Sequence, residues 1–229
     1  MLHRVLGWLL VIGTPALLLL TSVRLVAQPW FIDFEYRRPD FPADPFGFTQ
    51  ADRLAYGFYA LEYLLDNEDV AYLSERALPD GRPMFNAREL RHMQDVQAAV
   101  RSAFTAHWML LAAAGLMAAY LAWKPARRPT LQRALLGGGL LTLGLLGALV
   151  VSALLSWDAF FDLFHRLLFE SGTWRFFLED TLIRLYPEKF WFDAALTVGA
   201  LMTLGAAALA LIGWRWQPWW RPEKERNHE

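Results

Sequence analysis

Two histidines in this sequence each stand three residues from an aspartate, a spacing that brings the paired side chains to one face of a helix. His92 precedes Asp95, and His165 follows Asp162. A carboxylate that accepts a hydrogen bond from one ring nitrogen fixes the tautomer of a histidine and leaves the other nitrogen basic. Such histidines can take up and return a proton near neutral pH, so the pattern is typical of general acid–base catalysis.

Two alternatives use the same residues. The pairs Glu89-x-x-His92 and Asp162-x-x-His165 resemble the carboxylate-x-x-His pairs of helical bundles that bind two metal ions. Those bundles need a further glutamate from each of two other helices. No source for these glutamates is evident, so we expect no metal and no cofactor. In the other alternative, both histidines make ordinary contacts on interfacial helices.

Other catalytic chemistries have little support in the sequence. None of the six serines lies in a G-x-S-x-G motif, and there is no P-loop, dinucleotide-binding or H-E-x-x-H motif. The absence of cysteine excludes thiolate catalysis, cysteine-ligated zinc and disulfides. His107 lies within an apolar run, where we expect it to bond to a neighbouring helix.

Four apolar runs are long enough to cross a membrane as helices, which takes about 20 residues. They cover about residues 5–23, 103–123, 135–157 and 194–214 of the 229, and none contains Asp, Glu, Lys or Arg. A helix is the expected form because it satisfies its own backbone polar groups. The first run is longer than the apolar part of a signal peptide and lacks a clear A-x-A cleavage site, so we expect an uncleaved span.

The charges of the connecting segments predict the orientation of these helices. Residues 124–134 contain four basic residues and no acidic one, whereas residues 27–102 carry 8 Arg against 13 Asp plus Glu, and residues 158–193 carry 4 basic against 7 acidic residues. Positive residues favour the cytoplasmic side. We therefore expect both termini inside and the two acidic segments outside. The charge pattern gives no indication of nucleic-acid binding.

The first outer segment opens with prolines, and it is predicted to be extended or turning there. The prolines are Pro29, Pro39, Pro42 and Pro45. A helix is predicted to follow Thr49, which can cap the N-terminus together with Asp52. After the turn signal D-G-R-P, Asn86 and Glu89 resemble a capping box. They predict a helix that continues into the second apolar run and holds His92 just outside the membrane.

The second outer segment is rich in aromatic residues, with twelve from 157 to 192. The patterns of residues 156–169 and 173–187 predict two short helices, the second stopped by a proline. Aromatic side chains favour the headgroup level of a bilayer, so we expect these helices at the outer interface. The predicted fold is all-α: a single integral membrane domain (1–229) with a four-helix transmembrane bundle, covered at its outer end by helical extracytoplasmic segments.

Several motifs resemble the bacterial membrane protein family that includes the lipoprotein intramolecular transacylase. The motifs are FNARELRHMQDV (85–96), FHRLLF followed by Trp174 (164–174), Leu182-Ile183, and YPEKFWFD (186–193), where Tyr186 replaces a phenylalanine of the family. The resemblance covers most of the chain. It implies that the two important histidines are His92 and His165. Asn86, Glu89 and Asp95 fall in the first motif.

The resemblance also implies a reaction and a place for it. An acyl chain would move from the diacylglyceryl group of a lipoprotein to the α-amino group of its own N-terminal cysteine. The product is a lyso-form lipoprotein at the outer leaflet of the bacterial cell membrane, among membrane lipids. Two histidines suit this chemistry, because the attacking amine loses a proton and the glycerol oxygen gains one.

Further residues are candidates for supporting roles in such a reaction. Asn86, Arg88 or a protonated histidine is a candidate donor to the oxyanion of a tetrahedral intermediate. Asp158 and Asp162 are candidate supports for His165. The alternative from a different class is a non-catalytic membrane scaffold, or a lipid- or lipoprotein-binding protein, in which the histidines only pack.

Overall fold

The computed structural model of the protein describes residues 1–168 and 176–215. The helices are α1 (Leu2–Val26), α2 (Pro29–Arg37), α3 (Gln50–Leu65), α4 (Ala71–Ser74), α5 (Ala87–Trp123), α6 (Arg128–Leu155), α7 (Trp157–Leu168), α8 (Thr181–Leu185) and α9 (Glu188–Arg215). A short 3₁₀ helix, Pro125–Arg127, joins α5 to α6. Neither described range contains a β-strand, which confirms the predicted all-α class.

Four helices, α1, α5, α6 and α9, are long and apolar enough to cross a membrane. Each apolar run of the sequence falls on one of them. The third run differs at its end, because α6 stops at Leu155 and α7 begins at Trp157. The prediction of four transmembrane helices is confirmed. Large apolar side chains such as Ile12 and Leu116 are exposed on these helices, as expected where lipid rather than water surrounds them.

The contacts divide the chain into two compact units. The first comprises Met1–Thr21, Ala106–Val150 and Gly199–Glu229, and the second comprises Ser22–Thr105 and Val151–Val198. The second unit contains both outer segments and therefore His92 and His165, whereas the first contains most of the apolar helical length.

In the first unit, glycines let helices approach closely, as is common between membrane helices. A Cβ atom on Gly139 of α6 would lie 2.5 Å from the backbone oxygen of Ala206 on α9. A Cβ atom on Gly213 of α9 would lie 2.5 Å from the backbone nitrogen of Leu136 on α6. Larger residues at these positions would push α6 and α9 apart.

His107 also belongs to the first unit, where it joins α5 to α1. The hydroxyl of Thr21 donates to the carbonyl of Leu17 at 2.7 Å, so it accepts from Nε2 of His107 at 2.9 Å. The expected hydrogen bond to a neighbouring helix is confirmed, and it accounts for a polar side chain at this depth.

In the second unit, the aromatic residues of one outer segment pack against the helices of the other. The hydroxyl of Tyr36 on α2 donates to the carbonyl of Leu185 at 2.8 Å. The hydroxyl of Tyr186 donates to the carbonyl of Gly57 on α3. Both tyrosines are buried, so they belong to a core that the two outer segments share.

The prediction of extended or turning chain at the start of the first outer segment is wrong for residues 29–37. Pro29 occupies the first turn of α2, where a missing backbone N–H costs nothing because that N–H has no helical acceptor. Phe31, Ile32 and Tyr36 are buried on one side of α2. Their burial stabilises a helix in a segment where the closely spaced prolines predict extended or turning chain. The other three prolines do lie in irregular chain.

The second predicted helix of the aromatic segment is also shorter than expected. Residues 173–175 lie outside the described residues, and residues 176–180 form a turn before α8 begins at Thr181. The carboxylate of Asp180 accepts a hydrogen bond from the backbone N–H of Phe177 at 2.8 Å, which closes this turn. The predicted stop is confirmed, since α8 ends before Pro187.

Features set by neighbouring residues match the predictions from sequence. The hydroxyl oxygen of Thr49 accepts from the backbone N–H of Asp52 at 3.1 Å, and the Asp52 carboxylate accepts from that of Thr49 at 2.8 Å. This capping box starts α3. The D-G-R-P turn is present, with Gly81 at φ 83°, a conformation that glycine adopts readily.

Candidate active site

The first turn of α5 is organised by the predicted capping box. The backbone N–H of Asn86 donates to Glu89 Oε2 at 2.7 Å, and Asn86 Oδ1 accepts from the backbone N–H of Glu89 at 3.1 Å. The helix then runs without interruption to Trp123. Residues 87–102 precede the apolar run, so His92 lies about one and a half turns from the capped end, before the apolar part of the helix.

The same turn is fastened to the second outer segment. Glu89 Oε1 accepts from the backbone N–H of Leu182 at 2.7 Å. Asp180 Oδ1 accepts from Asn86 Nδ2, and Asp180 Oδ2 accepts from Arg88 Nη2, both at 2.8 Å. Asn86, Arg88 and Glu89 therefore act first as ties between two segments.

Glu89 is only 1% exposed, and both its oxygens accept backbone N–H groups. Burial raises the pKa of Glu89, and the two N–H donors oppose that rise. Its oxygens are therefore committed to backbone groups. Within residues 1–168 and 176–215 no group of three or more His, Asp or Glu side chains is arranged to hold a metal ion.

His92 is half-buried against an aromatic ring. The Phe176 ring packs against it edge to face, with centroids 5.2 Å apart. Burial, followed by the nearby charge of His165, lowers the pKa of His92 to about 4, while the negative charge of Asp95 opposes the shift. His92 is thus neutral at pH 7 and has a lone pair with which to accept a proton.

His165 on α7 is also neutral, and its tautomer is defined. Nδ1 lies 2.8 Å from the carbonyl oxygen of Phe161. A carbonyl can only accept, so Nδ1 carries the hydrogen and Nε2 is the basic nitrogen. Burial lowers the pKa of His165, opposed by the Phe161 hydrogen bond and by the charge of Asp162.

The aspartates chosen from their spacing do not brace the histidines by hydrogen bonds. Asp162 forms an ion pair with Arg166, and a backbone carbonyl takes its expected place on His165. Asp95 acts on His92 through its charge. Asp158 is exposed in the first turn of α7 and, among the described residues, forms no hydrogen bond or ion pair.

Asp180 is the site residue that the sequence interpretation missed. It is 8% exposed and joins three N–H donors from two segments. Its position just before α8 is a local signal, since aspartate is a favoured N-cap residue. In the structure its side chain makes no cap bond to α8 and reaches α5 instead, which local sequence does not indicate.

The arrangement is suited to proton transfer between two groups. His165 lies close enough to His92 for its charge to lower the pKa of His92. Two neutral imidazoles in one compact unit can act as a base and, once one is protonated, an acid. The partly exposed guanidinium of Arg88 adds N–H donors on the same helix as His92, 5.9 Å from the centroid of the Phe176 ring that packs against His92.

Comparisons with known proteins identify the family and the fold. The chain matches the family described as lipoprotein intramolecular transacylase Lit over residues 8–191. An uncharacterised protein of Aquifex aeolicus is 28% identical over 216 residues, which cover 93% of this chain and 94% of that protein.

Solved structures share the fold. The membrane-integral lipoprotein intramolecular transacylase Lit from Bacillus cereus superimposes with a TM-score of 0.78 at 21% identity, covering 99% of this chain and 98% of that one. A variant of that protein with one histidine replaced by arginine gives a TM-score of 0.73 at 20% identity, with 100% and 95% covered. By the family match over most of its length, this chain belongs to the lipoprotein intramolecular transacylase family of membrane-integral acyltransferases.

Proposed function

We propose that this protein moves one acyl chain from the diacylglyceryl group of a lipoprotein to the α-amino group of the same lipoprotein's N-terminal cysteine. The observation that carries the proposal is the pair His92 and His165, which lie in one compact unit. Burial lowers the pKa of both, and the charge of His165 acts on His92. Membership of an acyltransferase family favours this over a scaffold or a lipid-binding protein.

The reaction needs two proton transfers and no covalent enzyme intermediate. The amine nitrogen attacks the ester carbonyl carbon, and a neutral histidine takes the proton that the nitrogen loses. The tetrahedral intermediate then expels the glycerol oxygen, which receives a proton from a histidinium. A C–N bond replaces a C–O bond, and the product has an amide and a free glycerol hydroxyl.

The intermediate carries a negative oxygen, for which Arg88 is the candidate donor. One of its N–H groups is bound to Asp180, while the side chain keeps 38% of its surface exposed. A cation near the developing charge stabilises the transition state most where water is excluded. Asn86 is a weaker candidate, because its Nδ2 already donates to Asp180.

Intramolecular transfer reduces the entropy cost of the reaction. Donor ester and acceptor amine belong to one molecule, so the protein has only to bring them into contact and exclude water. The proposed site is at the outer leaflet, with both termini in the cytoplasm. The acidic outer segments and basic inner connections support that orientation.

A mass-conserving assay tests the proposal. A diacylglyceryl lipopeptide is incubated with the purified protein and followed by tandem mass spectrometry. We expect an unchanged total mass, a blocked amine and a glycerol with a single ester. The same lipopeptide with its amine acetylated beforehand is the matched control and should not change. A gain of one acyl chain, or an amine that stays free, contradicts the proposal.

A further inference from the structure

We infer that Asp180 is a positioning residue for the acyl transfer proposed above: it holds the segment 176–177 against the start of α5, so that Phe176 shields His92 from water. The inference rests on that proposed function for its activity measurement. The shielding itself can be measured without activity.

The carboxylate of Asp180 is a junction between two segments. Oδ1 accepts from Asn86 Nδ2, and Oδ2 accepts from both Arg88 Nη2 and the backbone N–H of Phe177, each at 2.8 Å. Hydrogen bonds to a charged acceptor are about twice as strong as neutral ones. One buried carboxylate thus fixes the turn of residues 176–180 and attaches it to α5.

Two aromatic rings sit at the far end of this junction. The guanidinium carbon of Arg88 lies 5.9 Å from the Phe176 ring centroid and 4.6 Å from that of Phe177, within the range of cation–π attraction. Phe176 in turn packs edge to face with His92. The path from Asp180 to His92 therefore runs through Arg88 to the Phe176 ring.

Separate contacts hold α8 in place and do not involve the Asp180 carboxylate. The hydroxyl of Thr181 donates to the carbonyl of Met84 at 2.5 Å, and the backbone N–H of Leu182 donates to Glu89. A variant at Asp180 keeps both bonds. It should release the turn and Phe176 while α8 stays attached and the unit stays folded.

Replacing Asp180 removes a charge as well as the shielding, and these two changes move the pKa of His92 in opposite directions. The charges that shift the pKa of His92 belong to Asp95 on α5 and His165 on α7. Arg88 on α5 and Asp180 in the turn before α8 are the charged pair of the adjoining junction. Loss of the Asp180 charge alone makes the surroundings more positive and lowers the pKa of His92 further. Loss of shielding acts oppositely and raises that pKa toward its ordinary value of about 6.5.

The test compares Asp180→Asn with Asp33→Asn. Asp33 forms an exposed pair with Arg37 within α2 at 2.8 Å, the same distance as Asp180 to Arg88. In each protein, the rate at which diethylpyrocarbonate modifies the His92 peptide is followed against pH by mass spectrometry. The pH at which this rate reaches half its maximum is the His92 midpoint. We expect the His92 midpoint to rise in Asp180→Asn and to stay fixed in Asp33→Asn.

Activity gives the second measurement. We expect kcat for lipopeptide conversion to fall roughly tenfold to a hundredfold in Asp180→Asn with little change in KM, and Asp180→Glu to recover part of the loss. If Asp180→Asn does not fold, Phe176→Ala replaces it, and the same rise in the His92 midpoint is expected because the shield is removed directly.

The outcomes separate the two proposals. A midpoint that stays at the wild-type value or moves down overturns the positioning role of Asp180, whatever the activity. A midpoint that rises in a protein whose wild type does not convert the lipopeptide supports the shielding and overturns the proposed function.

Discussion

At the scale of single residues, the two histidines reach the same chemical state by different means. His165 is held by the carbonyl of Phe161, which sets Nε2 as its basic nitrogen. His92 is kept neutral by burial beside Phe176. Spacing identified both histidines, but a backbone carbonyl and a ring from another segment, which spacing does not reveal, set their properties.

Replacing either histidine by glutamine should remove most of the activity. Glutamine keeps a hydrogen-bonding side chain of similar size and cannot exchange a proton near pH 7. We expect His92→Gln and His165→Gln each to lower kcat by about 10²–10⁴-fold, the usual contribution of a general acid or base. Asp162→Asn is the matched comparison and should lose far less, because Asp162 is paired with Arg166. Initial rates of lipopeptide conversion measure this loss. Full activity in both glutamine variants would contradict the proposed roles of the two histidines as general acid and base.

The lowered pKa values of the two histidines predict the acid limb of the pH profile. A histidine of ordinary pKa loses half its neutral form at about pH 6.5, and burial moves this point down in both residues. We expect the histidines to add an acid limb to kcat/KM below about pH 6.5, separate from the limb at about 7.7–8.0 that arises as the substrate's own α-amine takes up a proton. Titration of the free lipopeptide locates the substrate limb, and a further limb from the enzyme centred above about 6.5 would contradict a site in which both bases are desolvated.

Stability should change with pH in the same direction. Between about pH 4 and 6.5, the unfolded chain binds protons at His92 that the folded protein does not bind. The free energy of unfolding therefore falls as pH is lowered through that window. Thermal unfolding of the wild type and His92→Gln at pH 7.5 and 5 tests this, since the variant should lose less stability.

At the scale of helices and segments, local signals were predictable and long-range ones were not. The capping boxes at Thr49 and Asn86 involve neighbours three residues apart, so the sequence contains the whole interaction. α2 and the turn of residues 176–180 depend on partners far along the chain. α2 is stabilised by the burial of Tyr36 and its hydrogen bond to Leu185. The turn is stabilised by the hydrogen bond from Asn86 on the other segment to Asp180.

Glu89 should matter for stability as a tie between segments. Glu89→Ala leaves the backbone N–H groups of Asn86 and Leu182 without their acceptors, at a cost of about 1–3 kcal/mol for each that stays buried. Glu89→Gln retains an acceptor oxygen and should lose less. Denaturant or thermal unfolding of the purified protein measures both, with the exposed Glu75→Ala as control. Equal stability of Glu89→Ala and Glu75→Ala would show that the tie contributes little.

At the scale of the whole molecule, charge asymmetry predicts which face of the membrane carries the histidines. The chain lacks cysteine, so a single introduced thiol gives an unambiguous label. We expect Pro79→Cys to react with an impermeant reagent in intact cells and Ala126→Cys to react only after lysis; both positions are exposed. The reverse pattern would place the histidines on the cytoplasmic side.

The central claim is that the acyl chain moves within one lipoprotein molecule, and a crossover experiment tests it most directly. Two diacylglyceryl lipopeptides of different peptide mass, one with deuterated acyl chains, are mixed in unlabelled phospholipid and incubated with the protein. We expect every N-acylated product to carry the label state of its own peptide at unchanged total mass. Two kinds of product would contradict intramolecular transfer. One is a deuterated chain on the peptide that began with unlabelled chains, and the other is an unlabelled N-acyl chain on the peptide that began with deuterated chains.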